Sequence, residues 1–183
     1  MSNVWAIITD EMSAAAVAGV ALRSGTPAKA LVFGSSELAN RVAGFGVESV
    51  TWYDADKALP EAMAGTIAKR AEQEKPVAVV SSDSATSRAL LGPVAVALGA
   101  AVTGKVIAVK VDGEAATVER LVADSEAVDV LAAPGSVVCT IADGVDEAEA
   151  SEPVVVSEGA FDEDARMKVL STNAEGEGGA GLQ

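Results

Sequence analysis

This 183-residue sequence predicts an α/β fold, an open and mostly parallel sheet with helices on both faces plus an antiparallel strand extension. Three observations carry that expectation. Short Val/Ala/Ile runs alternate with Ala-rich helical patterns from Val4 to Gly99, the pattern of strand–helix–strand units. Half of the residues are hydrophobic but only 3% are aromatic, so Ala and Val must fill the core and let helices lie close on a sheet. After Gly104 the helical patterns stop while strand signals continue.

Taken in order, Val4–Thr9 reads as a short buried strand, and Ser13 can cap an Ala/Val-rich helix that ends near Arg23–Gly25. Lys29–Phe33 is the second strand, closed by Gly34. Ser35 or Ser36 then caps a helix running to Gly44. Glu48–Trp52 is the third strand. Leu59, Met63 and Ile67 recur at helical spacing around a helix from Pro60 to Glu74; Pro60 suits its first turn and Pro76 stops it. Val77–Val80 is the fourth strand, and right-handed crossovers make the sheet parallel. A further helix ends at Gly99.

Val106–Val111 and Thr117–Val122 flank Asp112-Gly113-Glu114, a hairpin turn. With Val128–Leu131 and Val137–Ile141 they are expected to form the antiparallel extension. Val154–Val156 gives one last short strand. Residues 1–157 are read as a single domain, and 158–183 as an acidic, Gly-rich tail or linker.

Composition excludes several functions. No apolar run reaches about 18 residues, and no basic stretch precedes an apolar one at the N-terminus, so neither a membrane span nor a secretory signal is expected. The single Cys139 allows no intramolecular disulfide, which fits a cytoplasmic protein, and its apolar strand pattern predicts burial. The net charge of −14 argues against nucleic acid. From Asp143 onward 11 acidic residues face only Arg166 and Lys168, which reads as a solvated acidic tail or a surface for a basic partner. With no His, neither a Ser-His nor a Cys-His pair can form within the chain. A hydrolase or transferase is therefore the weakest reading, and no carboxylate spacing suggests a metal.

Ser81–Arg88 is the most informative loop, because an open α/β sheet places ligands where a strand runs into a helix start. It carries five hydroxyls, one carboxylate and one guanidinium. Ser82, Asp83, Ser87 and Arg88 are the candidate binding residues, for a nucleotide or for an interface. Alternatively Thr86 or Ser87 caps the helix and Arg88 is a surface residue. Dinucleotide and P-loop glycine signatures are missing, and Asp10-Glu11-Met12 stands where the first would lie.

Val4-Trp5-Ala6-Ile7, Ala30-Leu31-Val32-Phe33-Gly34, Gly46-Val47-Glu48-Ser49-Val50, Val77–Arg88 with Leu90–Leu98, and Arg120–Thr140 occur in an order and spacing with a known counterpart. In them the chain resembles the N-terminal domain of the electron transfer flavoprotein alpha subunit. The resemblance implies an adenine-nucleotide-hydrolase-like fold with Rossmann-like layering. It also implies a role in electron transfer by docking with a beta-like subunit, a homodimeric copy or a redox partner dehydrogenase. In that family FAD sits mostly in a C-terminal domain lying beyond the resembling region, so this chain is not expected to hold FAD by itself. The family's Gly-Arg-Asp-Leu is replaced by Ser87-Arg88-Ala89-Leu90, and Gly92-Pro93 only partly echoes the beta subunit's AMP loop. An adenine nucleotide such as AMP at Ser81–Arg88 is the alternative function.

Overall fold

The computed structural model describes residues 2–167 and 169–170. Nine strands among them form one sheet, in the order β7-β6-β5-β8-β4-β1-β2-β3-β9. The first four units follow the expected alternation: β1 (Val4–Ile8), α1 (Ala14–Leu22), β2 (Ala28–Gly34), α2 (Ser36–Ala43), β3 (Ser49–Asp54), α3 (Ala64–Glu74), β4 (Ala78–Ser81) and α4 (Ala85–Leu98). All five residues of β1 are buried, because successive side chains enter two different cores. Val4, Ala6 and Ile8 meet α1 and α2 on one face, while Trp5 and Ile7 meet α3 and α4 on the other. The expected two-sided α/β layering is thus present.

Local signals placed most helix ends. Ser35 caps α2, its Oγ accepting from the Leu38 N–H at 3.2 Å. Ser13 precedes α1 but makes no cap bond there; the Asp10 carboxylate instead accepts from the Ser13 N–H at 2.8 Å. The helix expected from Pro60 to Glu74 is split into a 3-10 turn over Pro60–Met63 and α3.

The second half departs from expectation. β5 (Ala101–Asp112) begins five residues before Val106, and β6 (Ala115–Val122) and β7 (Ala127–Ala133) follow it antiparallel. The strand β8 (Val137–Ile141) is not part of the antiparallel group. It inserts between β4 and the start of β5 and runs parallel to both. Both neighbours bury it, so Val137, Val138 and Cys139 are all inaccessible. A short apolar run records burial but not strand direction.

The acidic segment after Asp143 leaves β8 and crosses the α1 and α2 face of the molecule. Arg23 donates to the Asp146 carbonyl, the Ala148 N–H to Ala15, the Ser151 N–H to Gly44 and the Val154 N–H to Ala43. It ends as β9 (Val156–Glu158), parallel to β3 at the far edge. Its carboxylates face solvent while its backbone is tied to the helices. Beyond it, Phe161 packs against the second core and the Asp164 N–H donates to the Ala62 carbonyl. The remainder of the Gly-rich tail, from residue 171, lies outside the described residues.

Candidate functional site

β1 and β4 are neighbours, yet the chain leaves β1 toward β2 and returns on its other side to β4. That reversal is where crossover loops part and an open sheet offers a ligand crevice. Thr9 and Asp10 follow β1, and Ser81 ends β4, so Ser81–Arg88 meets residues far away in sequence. Ser87, fully buried in the first turn of α4, is the hub. Its Oγ lies 2.9 Å from each of Thr9 Oγ1, Ser81 Oγ, Ser82 Oγ and Ser84 Oγ. One hydroxyl offers one donor and two acceptor positions, so three of these four neighbours already saturate it. Ser81 Oγ also lies 2.7 Å from the Ile7 carbonyl, and Ser82 Oγ donates to Asp10 at 3.3 Å.

The helix cap is Ser84, whose Oγ accepts from the Ser87 N–H at 3.0 Å; neither Thr86 nor Ser87 holds that position. Thr86 turns away and donates to Glu61 at 2.7 Å. Of the four candidate residues, Ser82 and Ser87 lie inside the hydroxyl cluster. Asp83 and Arg88 stand together on the rim as an exposed ion pair of 3.5 Å. The cluster therefore divides the four into a buried pair and an exposed pair. Replacing Ser87 by Ala is expected to cost about 1–2 kcal/mol, because it strips buried hydroxyls of a shared partner. Urea unfolding checks this, and an unchanged midpoint would mean that the hydroxyls do not depend on one another.

Two cavities flank the loop. One, of about 410 Å³, is lined by Asp10, Asp83, Asp143 and Glu147 with three serine hydroxyls. No group of side chains among the described residues is arranged to hold a metal ion. The other, of about 470 Å³, lies between α4 and β5 and is lined by Arg88, Arg120, Thr103 and Thr140. Cys139 borders it with its side chain buried; desolvation pushes the thiol up to about 12, which leaves no thiolate at neutral pH. Sequence reasoning missed Thr9, Asp10 and Arg120 as site residues. The signal for the first two was their place just after β1, since the loops after β1 and β4 meet in this topology.

No helix among the described residues is long and apolar enough to cross a membrane. Across nearly the whole of the described chain, residues 5–168 match the family model for the electron transfer flavoprotein domain. No curated protein sequence matches the chain. The layering, the strand order and the extent of that match lead to one conclusion: the chain belongs to the electron transfer flavoprotein domain family.

Proposed function

We propose that this chain is the alpha-type component of an electron-transfer assembly, docking with a beta-like subunit so that the pair passes electrons between a dehydrogenase and an acceptor through FAD. Beside the family match, one observation carries the docking role. β6 and β7 bury one face, through Ala116, Val118 and Ala133, and leave the other bare. On that outer face Val128 and Val130 of β7 are 53% and 60% exposed, with Ala132 beside them. Among the described residues β7 pairs only with β6, and that edge leaves backbone groups open to another strand. A stripe of exposed valines bordered by Thr117 and Glu119, with an open edge, suits a partner subunit, and its burial would drive association.

Support for placing the flavin mainly outside this chain comes from the cavity linings. Trp5, Phe33 and Tyr53 are buried in the second core, and neither cavity beside the loop is lined by an aromatic ring. The loop hydroxyls bond one another. These residues do not fit an isoalloxazine, and the partner or a further domain would supply its pocket.

Co-purification with a beta-type subunit tests the docking. Val130→Lys is expected to weaken that complex at least about tenfold, or about 1.4 kcal/mol, with little change in Tm because the side chain is exposed. Undiminished binding would refute this surface. A second copy on the same face would instead give a concentration-dependent dimer of the chain alone. Flavin absorbance near ~450 nm in the purified chain alone would overturn the placement of FAD outside it.

A further inference from the structure

We infer that the cavity between α4 and the bulged part of β5 binds an organic phosphate monoester, its phosphate between Arg88 and Arg120 and its apolar body against α4. The inference does not depend on the docking reading, because it rests on a bulge, two guanidiniums and the wall they share.

β5 follows β8 in parallel as far as Thr103 opposite Cys139, and then shifts register so that Val106 faces Ile141. Three steps along β5 answer two along β8, which is one extra residue. Lys105, in that stretch, sits at φ +55°, a left-handed conformation that a side chain with a Cβ rarely adopts. Gly104 beside it approaches β8 closely: a Cβ there would stand 3.1 Å from Thr140 Oγ1, which would have to shift. Such bulges interrupt the ladder and recur next to functional sites. This one borders the cavity of about 470 Å³, a size within the range of small-molecule sites.

The two guanidiniums come from different elements. Arg120 of β6 is held in one orientation: Nε and Nη2 donate to Asp129 at 3.2 and 3.0 Å, and Nη1 donates to Thr103 at 3.2 Å. Three bonds from five N–H groups leave two donors for a ligand. Arg88, on the first turn of α4, makes among the described residues only the long and exposed pair with Asp83. Thr140 adds a hydroxyl. Leu91, Ala95, Val102 and Val138 form the apolar wall, and Val102 is left 70% exposed at its lip.

A phosphate monoester matches this set better than a carboxylate. It offers three terminal oxygens and carries between one and two negative charges at neutral pH, so it can engage forks from two directions at once. Asp83 is then its competitor for Arg88, and that gives the proposal an unusual sign: one substitution in the cavity should strengthen binding.

The test is a titration of the isotope-labelled chain with phenyl phosphate, followed by backbone amide shifts. Saturable shifts are expected at Gly104, Lys105, Thr140 and Leu91, and weaker ones from inorganic phosphate at the same amides. Phenol, which lacks the charge, should give none. Arg88→Ala is expected to weaken binding at least about tenfold and Asp83→Asn to tighten it about two- to fivefold. Both side chains are exposed, so the fold should survive each change. Arg120→Lys, which keeps the charge but loses the fork, should also weaken binding. No saturable shift up to about 10 mM, a Kd far weaker than an ordinary site, would overturn the proposal. So would shifts confined to Ser82–Ser84, or equal affinity in Arg88→Ala.

Discussion

Replacing Trp5 by Ala is expected to destabilise the protein by about 3–5 kcal/mol, the range for emptying a large aromatic site in a packed core. Trp5 is fully buried on a strand that is paired on both sides, opposite Lys29 and Val79. Its core also holds Phe33, Tyr53, Met63, Ile67 and Leu90, all buried, so closing the space would have to shift several packed side chains at once. The Arg70 guanidinium lies 5.6 Å from its ring centroid, and Arg70 also holds Glu74, Thr51 and Tyr53. Losing the ring therefore removes a cation–π contact as well as volume. The Phe variant separates the two contributions. The Trp5 indole N–H has no hydrogen-bond partner among the described residues, so Trp5→Phe removes a buried orphan donor while keeping most of the ring. It is expected to cost no more than about 1 kcal/mol. Urea unfolding followed by circular dichroism reads both, and a Trp5→Ala variant within about 1 kcal/mol of the native chain would contradict this account of the core.

Gly19→Val is the second large effect, expected to cost about 1–3 kcal/mol by overpacking. A Cβ at Gly19 would stand 2.6 Å from the Asp146 carbonyl oxygen and 2.9 Å from the Ala148 nitrogen, both backbone atoms. Neither can rotate away, so the whole segment that crosses α1 must lift. Elsewhere in a helix, replacing Gly would help by relieving its backbone entropy cost, of roughly 1 kcal/mol for Ala. Here the close approach reverses the sign. Lifting the segment should expose the Ala148, Ser151 and Val154 amides, whose acceptors are on α1 and beside α2. Hydrogen exchange at those three amides should accelerate far more than at the β1 amides. Uniform acceleration would mean global destabilisation and no strap.

The acidic segment shows why part of this architecture could not be seen in advance. The carboxylates between Asp143 and Glu158 suggest solvation, and side-chain chemistry is all that composition reports. The structure holds it by backbone N–H groups and carbonyls, which every residue carries, and by a glycine on another helix. No local pattern encodes that pairing. Ser87 is a second case: its hydroxyl suits a phosphate as well as a cap, and only the arrival of Thr9 and Ser82 makes it the hub of a closed cluster. Arg88 was legible as a candidate because it follows a strand–loop–helix transition. Arg120 was not, because a residue in mid-strand on a hairpin has no sequence relation to that loop.

By itself the sequence determined the alternation of strands and helices, a serine cap at Ser35 or Ser36, the hairpin at Gly113 and the absence of His chemistry. Those properties are local: side-chain periodicity, capping hydroxyls and turn residues act within a few positions of one another. Tertiary structure alone decided that β8 lies parallel between β4 and β5, that the acidic segment straps α1 and α2, and that Arg88 and Arg120 share a cavity. Each of these is a choice among distant partners. It is settled by which apolar faces must be buried together, and a five-residue apolar strand such as Val137–Ile141 carries no record of its neighbours until the rest of the sheet exists.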